Sequence, residues 1–165
     1  MGALTTVCLA IGLSLATAAD AIAAAQAGPP RLERLDGKPV DVGHTPGGAI
    51  LAFWRADCAP CLLELRAARS YAAAARPGRF LFVGLQDAPA LAAAARKADA
   101  PREMLVRGVG TASVILTAYG GAPPRLPLAI ALTPSGSLCA RHSGLLGADQ
   151  VRAWAHDCGA PHAGR

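Results

Sequence analysis

The sequence predicts an α/β fold in which helices cover both faces of a mixed central sheet. Short apolar runs alternate along the chain with longer helix-forming stretches, as they do in the βαβ units of parallel sheets. Towards the carboxyl end, a turn at residues 133–136 joins two further apolar segments and predicts an antiparallel hairpin. A parallel unit followed by a hairpin implies a mixed sheet, and a chain of 165 residues is long enough to enclose its core.

The strands are predicted from apolar runs that are bounded by glycine, proline and polar residues. The runs at 49–54 and 79–85 are apolar almost without interruption, which is typical of strands buried on both faces. In chain order, the predicted strands are 38–42, 49–54, 79–85, 103–109, 128–132 and 138–142.

The helices are predicted from helix-forming composition and from the residues that begin or end them. The stretch 88–99 is rich in alanine and has a proline near each end, and the stretch 112–119 precedes two glycines that can end a helix. In chain order, the predicted helices are 58–75, 88–99, 112–119 and 148–157.

The most informative motif is Cys58-Ala59-Pro60-Cys61, which lies where the strand at 49–54 gives way to a helix. Unpaired N–H groups and the positive end of the helix dipole favour a thiolate at such a junction. We therefore expect Cys58 to have a depressed pKa and to be the attacking sulfur. Cys61 lies one turn further along the helix, where it can resolve a mixed disulfide. Pro60 suits the first helical turn, in which a missing N–H costs little.

Three other interpretations of the Cys-x-Pro-Cys motif remain open. A zinc site would need two more ligands at short spacing, and none follows the motif. A Cu(I) site on the dithiol is chemically reasonable, although the chain has only 2 Met and no closely spaced pair of histidines. Two inert buried cysteines are the third interpretation. We predict dithiol chemistry and no metal site.

The charge pattern argues against a nucleic-acid partner. The formal net charge is +5 at pH 7, but the arginines are scattered singly or in pairs. Aromatic residues make up only 4% of the sequence. A nucleic-acid interface would need clustered basic residues and aromatic rings, so the pattern indicates a solvated basic surface.

Residues 1–27 have the pattern of a signal peptide. An apolar segment at 7–19 is followed by Ala25-Gln26-Ala27, which fits a small-x-small cleavage site. No Lys or Arg precedes the apolar segment, and an uncleaved membrane anchor is the alternative. Residues 28–37 are expected to form a linker and the start of the domain.

Cysteine usage also fits export. Cleavage of the signal would remove Cys8 and leave an even number of cysteines, which allows two disulfides in an oxidising compartment. Cys139 lies on the last predicted strand and Cys158 at the end of the closing helix, which should run back along that strand. We expect a structural Cys139–Cys158 disulfide, worth about 3 kcal/mol if unstrained. Two buried free thiols and a second redox relay are the alternatives.

Several short motifs follow one another in a fixed order: Leu35-Asp36-Gly37-Lys38, Phe53-Trp54, Cys58-x-Pro60-Cys61, Glu64, Tyr119-Gly120, Leu126-Pro127, Pro134-Ser135-Gly136 and Gly144. This order resembles the thioredoxin superfamily, and within it the exported TlpA-like and ResA-like thiol-disulfide oxidoreductases. The resemblance covers residues 31–158. It implies a thioredoxin-like fold over 38–158, followed by a flexible tail at 159–165.

The resemblance implies roles for residues outside the dithiol. Pro127 is expected to be a cis proline that faces the dithiol, and the backbone of Leu126 to pair with an extended substrate segment. Glu64 matches the acidic position that follows the motif in the family, and would relay a proton to Cys61. A solvated glutamate on the helix surface is the alternative interpretation.

Three residues depart from the family pattern. Ala52 stands where thioredoxins have a buried aspartate on the strand before the dithiol, so that proton acceptor is absent. Asp57 replaces the usual tryptophan before Cys58 and should raise the pKa of the thiol, an effect that Arg55 can offset. Arg66 stands where a proline often kinks the helix, so we expect a straighter active-site helix.

The resemblance implies a periplasmic, monomeric thiol-disulfide oxidoreductase that needs no cofactor. It suggests reduction of disulfides in exported proteins, with apocytochrome c among the candidate clients and a membrane thiol carrier as electron donor. Disulfide formation would use the same residues, so the oxidase direction stays open. A non-enzymatic module, either copper-binding or an adaptor that retains the dithiol, is the alternative of a different class.

Overall fold

The computed structural model describes residues 31–120 and 125–160, without the side chains of 118–120. The predicted signal peptide, the first residues of the predicted linker and most of the predicted tail lie outside the described residues. Seven strands and five α-helices lie within these ranges, in the order β1 (Leu32–Arg34), β2 (Pro39–Val40), β3 (Ala49–Trp54), α1 (Ala59–Arg66), α2 (Ala68–Ala74), β4 (Arg79–Gly84), α3 (Ala88–Lys97), β5 (Leu105–Gly108), α4 (Ala112–Gly120), β6 (Leu128–Leu132), β7 (Leu138–Ser143) and α5 (Ala148–Gly159).

The strands form one sheet in the order β2-β1-β5-β4-β3-β6-β7. At its centre, β3, β4 and β5 are parallel. On one side, β6 pairs antiparallel with β3, and β7 pairs antiparallel with β6. On the other side, β1 pairs antiparallel with both β5 and β2. The predicted mixed sheet, with its parallel unit and its hairpin, is confirmed.

Alternate residues of β3 belong to two hydrophobic clusters, one on each face of the sheet. Ile50, Ala52 and Trp54 belong to the cluster that α1, α2, α3 and α5 cover. Leu51 and Phe53 belong to the cluster to which α4 contributes. Each large apolar side chain buried in this way contributes about 1.5–3 kcal/mol to stability. The predicted cover of helices on both faces is therefore confirmed.

β1 is an element that the sequence pattern did not predict. Its residues lie in the segment 28–37, where we expected a linker and the start of the domain. Leu32 is buried and pairs with Gly108 of β5, and Arg107 forms a 2.7 Å salt bridge with Glu33 across the two strands. A strand of three residues shows too little alternation to be recognised from sequence.

The predicted helix 58–75 is divided at Ala67 into α1 and α2. The backbone N–H of Ala67 bonds back three residues, in a tight turn with φ −86° and ψ 3°. The expectation of a straighter active-site helix, drawn from Arg66, is therefore wrong, because the helix is interrupted at Ala67 without a proline. Beyond the break, the hydroxyl of Tyr71 donates to the carbonyl of Leu146 at 2.8 Å and ties α2 to the segment that follows β7.

The carboxyl end of β3 is the end of the sheet at which the predicted site residues meet. β3 ends at Trp54, and Cys58 lies immediately before α1. The antiparallel register pairs Phe53 with Leu128, which brings Pro127 level with Trp54. The dithiol and this proline therefore share one end of the sheet.

Candidate active site

Cys58 and Cys61 form a disulfide at the start of α1, with an S–S distance of 2.02 Å and Cα atoms 5.2 Å apart. Cys58 is the N-cap residue, and its Sγ accepts a hydrogen bond from the N–H of Cys61 at 3.3 Å. Cys58 is partly exposed, whereas Cys61 is 0% exposed. A substrate can therefore approach Cys58, whereas Cys61 is enclosed by the protein.

The start of α1 is built to stabilise negative charge on Cys58. In the reduced protein, the N–H of Cys61 would face a thiolate at the N-cap, where the helix dipole also favours an anion. Pro60 lies in the first turn, where its missing N–H leaves no intrahelical bond unmade. The geometry supports Cys58 as the nucleophile.

Asp57, the residue before Cys58, is paired with Arg55. Nε of Arg55 donates to Oδ1 of Asp57 at 2.9 Å, and Nη2 donates to Oδ2 at 2.8 Å. These hydrogen bonds lower the pKa of Asp57, so the carboxyl group is ionised and held by the guanidinium. The pair presents less net negative charge to Cys58 than Asp57 would alone.

Glu64 is only 3% exposed, so the alternative interpretation of a solvated surface glutamate is wrong. It lies one turn after Cys61 on the same buried face of α1. Its side chain lines a narrow buried cleft together with Ala52, Trp54 and Pro127. The helix therefore supplies a buried carboxyl group to a cleft in which the β3 residues, Ala52, Phe53 and Trp54, supply none.

The two carboxyl oxygens of Glu64 have different surroundings. Oε1 accepts a hydrogen bond from the N–H of Leu146 at 2.5 Å. Among the described residues, neither Oε2 nor the indole Nε1 of Trp54 in the same cleft has a hydrogen-bond partner. Burial raises the pKa of Glu64, and the Tyr71 hydroxyl, the Leu146 N–H and His142 oppose that shift. A carboxyl group with a raised pKa is suited to exchanging protons with a thiol.

The Leu126–Pro127 peptide bond is cis. Pro127 is buried and Leu126 is partly exposed. The carbonyl of Pro127 accepts a hydrogen bond from the N–H of Gly144 at 2.8 Å, and the ladder between β3 and β6 begins at Leu128. The backbone of Leu126 therefore lies outside that ladder, at the end of the sheet that carries the dithiol.

Three residues near the site were missed by sequence reasoning: His142, Leu145 and Leu146. The N–H of Leu146 contacts Glu64, a residue 82 positions earlier in the chain, so no local pattern indicates the contact. The carbonyl of Leu145 lies 3.2 Å from Nε2 of His142. The one signal in the sequence was Gly144, which lies between them and belongs to the motif order described above.

Cys139 and Cys158 form a second disulfide, with an S–S distance of 2.07 Å and Cα atoms 5.9 Å apart. The bond joins the edge strand β7 to the end of α5. Cys139 is exposed and Cys158 is buried. In the ladder, Leu138 pairs with Leu132, at the end of β6 away from Pro127. This disulfide therefore lies at the opposite end of the sheet from the dithiol.

Residues 31–120 and 125–160 contain neither a metal cluster nor a membrane-spanning helix. No three His, Cys, Asp or Glu side chains in these ranges converge so that they could hold a metal ion. No helix in them is long and apolar enough to cross a bilayer. Even α5 has only 12 residues, against about 20 for a typical span.

Comparisons with known proteins show similarity at the level of structure. No protein-family model and no curated protein sequence matches the chain. StoA from Bacillus subtilis matches with a TM-score of 0.59 and 18% identity, over 75% of this chain and 93% of that chain. A secreted Mycobacterium tuberculosis disulfide oxidoreductase homologous to E. coli DsbE matches with a TM-score of 0.56 and 20% identity, over 76% and 93%. The exposed lipoprotein thioredoxin Etrx1 from Streptococcus pneumoniae matches with a TM-score of 0.58 and 19% identity, over 77% and 97%.

These similarities show that the chain has the fold of the thioredoxin-like thiol-disulfide oxidoreductases, as the order of its motifs implied. It carries a CxxC pair at the start of α1. Two further features lie close to this pair in the chain. One is the buried Glu64 beside Ala52, and the other is the Arg55–Asp57 ion pair next to Cys58.

Proposed function

We propose that the protein is an exported thiol-disulfide oxidoreductase that reduces disulfides in other exported proteins. One observation carries the proposal, namely the asymmetry of the Cys58–Cys61 pair. Cys58 is partly exposed at the start of a helix, whereas Cys61 is buried, and its sulfur is bonded to that of Cys58. This arrangement separates the sulfur that attacks a substrate from the sulfur that releases the product.

The reaction balances without a cofactor. The Cys58 thiolate attacks a substrate disulfide, which forms a mixed disulfide and releases one substrate thiolate to be protonated. Cys61 then loses its proton and attacks the sulfur of Cys58, so the bond to the substrate breaks and the Cys58–Cys61 bond closes. Two electrons and two protons pass from the dithiol to the substrate.

Glu64 is the group to which we assign the proton of Cys61. Cys61 is sealed from solvent, so its thiol needs an acceptor inside the protein. Glu64 lies one helical turn away on the same buried face, and burial raises its pKa. A carboxyl group in this position can take the proton as the thiol attacks and return it when the disulfide is reduced again.

Leu126 and Pro127 are the residues to which we assign substrate binding. Pro127 lies level with the end of β3, and Leu126 lies outside the β3–β6 ladder. An extended substrate segment could pair with the backbone of Leu126 next to the dithiol, as an added strand does at a sheet edge. Main-chain pairing of this kind would accept many sequences, which suits an enzyme with several clients.

Export is supported by the sequence and by the cysteines. Residues 1–27 have the pattern of a signal peptide, and the described residues hold two disulfides, which persist in oxidising compartments. Two of the matched structures are of a secreted and of an exposed protein. We therefore propose a periplasmic monomer that receives electrons from a membrane thiol carrier and has apocytochrome c among its candidate clients.

The reduction potential of the Cys58/Cys61 couple decides the direction of the reaction. The mature protein is equilibrated with glutathione buffers, and the oxidised fraction is measured by thiol trapping. A potential below that of the glutathione buffer supports a reductase. A potential well above it overturns the reducing direction and assigns disulfide formation to the same residues.

Insulin reduction tests whether the protein is an enzyme at all. Cys58→Ser should abolish turnover, and Cys61→Ser should trap a mixed disulfide with the substrate. Cys139→Ser is the matched control, because it removes the disulfide at the other end of the sheet and should leave turnover in place. Full turnover by the Cys58→Ser variant would overturn the proposal.

A further inference from the structure

One peptide group, between Leu145 and Leu146, lies between His142 and Glu64. Its carbonyl oxygen is 3.2 Å from Nε2 of His142, and its N–H donates to Oε1 of Glu64 at 2.5 Å. A carbonyl oxygen only accepts, so Nε2 of His142 must carry the proton in this contact. His142 therefore reaches Glu64 through a single peptide group.

The segment that contains this peptide group is held on both sides. Before it, the N–H of Gly144 donates to the carbonyl of Pro127 at 2.8 Å. After it, the hydroxyl of Tyr71 donates to the carbonyl of Leu146 at 2.8 Å, and the Leu146 side chain is buried. The protein, rather than solvent, therefore sets the position of the Leu146 N–H.

Few charged or titratable groups face Glu64 from the elements packed around it. α2 contributes Tyr71, β7 contributes His142, and the start of α1 carries the two dithiol cysteines. The cleft residues from β3, β4 and β6 are apolar except for the indole N–H of Trp54. Among the described residues that act on Glu64, His142 is the one that can carry a positive charge.

We propose that His142 is a positioning residue that sets the proton affinity of Glu64 through the Leu145–Leu146 peptide group. The inference rests on the proposed function, in which Glu64 takes the proton of Cys61. A donor on a peptide carbonyl polarises the group and strengthens its N–H as a donor. A protonated imidazole adds a direct attraction for the carboxylate. Both effects favour ionised Glu64 and so adjust the pH range in which Cys61 can lose its proton.

Three variants of the full chain separate these effects. His142→Phe removes the donor and the charge, whereas His142→Gln keeps an N–H donor of similar reach without the charge. His156→Phe is the matched control, because His156 is an exposed residue of α5 whose Nδ1 contacts Asp157. It removes a histidine that does not act on Glu64.

The first measurement is an NMR titration of the side-chain carboxyl carbons in the oxidised protein, which needs no turnover. Glu64→Gln identifies the signal of Glu64. We expect Glu64 to titrate at higher pH in His142→Phe than in wild type. In His142→Gln, the Glu64 titration should lie between those two. In His156→Phe, it should match wild type. In the reduced protein, the rate at which Cys61 resolves the mixed disulfide should fall at low pH, where Glu64 becomes protonated. In His142→Phe, this low-pH limb of the rate profile should move to higher pH, as the Glu64 titration does. On that limb, His142→Phe should be slower by about two- to tenfold, the range of one hydrogen bond.

The outcomes distinguish this inference from the proposed function. An unchanged Glu64 titration in folded His142→Phe overturns the inference. A shifted titration with an unchanged pH dependence of the Cys61 step supports the positioning role and overturns the proposed role of Glu64. If His142→Phe does not fold, His142→Gln decides. In His142→Gln, the side-chain amide has no charge, so Glu64 must still titrate at higher pH than in wild type. An unchanged Glu64 titration in this variant overturns the inference.

Discussion

Glu64 on α1 and Ala52 on β3 line the same narrow buried cleft, so the helix supplies the carboxyl group that the strand lacks. Residues three apart on a helix have Cβ atoms about 5–6 Å apart, so Glu64 is tied by helix geometry to Cys61. The carboxyl group therefore stays beside the buried cysteine, whatever the substrate does at Cys58.

The stability of the protein should depend on pH through Glu64. Burial raises the pKa of Glu64, so the native state binds more protons than the unfolded state, and stability falls as pH rises above the ordinary range of a glutamate. Glu64→Gln keeps an acceptor for the Leu146 N–H but cannot ionise. The variant should therefore gain stability relative to wild type as pH rises from about 4 to 8. Urea unfolding at several pH values measures the difference.

Glu103→Gln is the control for this titration, because Glu103 is an exposed residue. Its stability difference from wild type should show no such rise with pH. A flat pH dependence in both variants would contradict a buried carboxyl group with a raised pKa at Glu64.

Glu64→Gln should also slow the second chemical step more than the first. Without an acceptor for its proton, Cys61 should resolve the mixed disulfide roughly 10²-fold more slowly. Alkylation of Cys58 by iodoacetamide should change little, because Cys58 lies at the exposed start of the helix. Quenched-flow trapping of the mixed disulfide separates the two steps, and equal slowing of both would argue against a role for Glu64 at Cys61.

The sequence was sufficient to predict the structural features that depend on residues close together in the chain. The dithiol follows an apolar strand and precedes a helix, and both signals lie within a few positions of Cys58. The hairpin of β6 and β7 was likewise predictable from the turn between them. The order of the motifs was enough to indicate the fold.

What could not be predicted depends on contacts between distant residues. The burial of Glu64 comes from packing against the segment that contains Leu146, and no pattern around Glu64 shows it. The break at Ala67 occurs in an uninterrupted run of helix-forming residues. β1 exists because it pairs with β5, not because its own three residues favour a strand.

The Cys139–Cys158 disulfide should stabilise the fold without taking part in turnover. The two cysteines are 19 positions apart, and the chain-entropy relation gives about 3 kcal/mol for a loop of this size. Cys139→Ala should therefore lower the free energy of unfolding by about that amount, since the exposed side chain itself packs little. Urea unfolding provides the measurement. An unchanged midpoint would mean that the bond does not restrain the unfolded chain.

Export should leave a processed chain. If Ala25-Gln26-Ala27 is the cleavage site, periplasmic material should begin at Gly28 when its mass is measured. Replacing Ala27 with a bulky residue should block processing at that site, because the cleavage site needs small side chains. Full-length chain in the membrane fraction would instead support an uncleaved anchor.

The Arg55–Asp57 pair should determine how strongly the helix start activates Cys58. In the reduced protein, Arg55→Ala leaves the Asp57 carboxylate uncompensated beside Cys58 and should raise the pKa of the thiol. Asp57→Ala removes that charge, frees the guanidinium and should lower the pKa. Because both side chains are partly exposed, the two shifts should shrink at high salt.

Ultraviolet absorbance of the thiolate, followed against pH, measures these shifts at Cys58. Arg152→Ala is the matched control, because it breaks a similar exposed ion pair with Asp149 on α5. It should leave the thiolate titration unchanged. In wild type we expect a Cys58 pKa below that of an ordinary cysteine, because the helix start outweighs a carboxylate that Arg55 already neutralises. A Cys58 pKa above that of an ordinary cysteine would mean that the effect of the Asp57 carboxylate exceeds that of the helix start. The position of Cys58 alone would then not activate it.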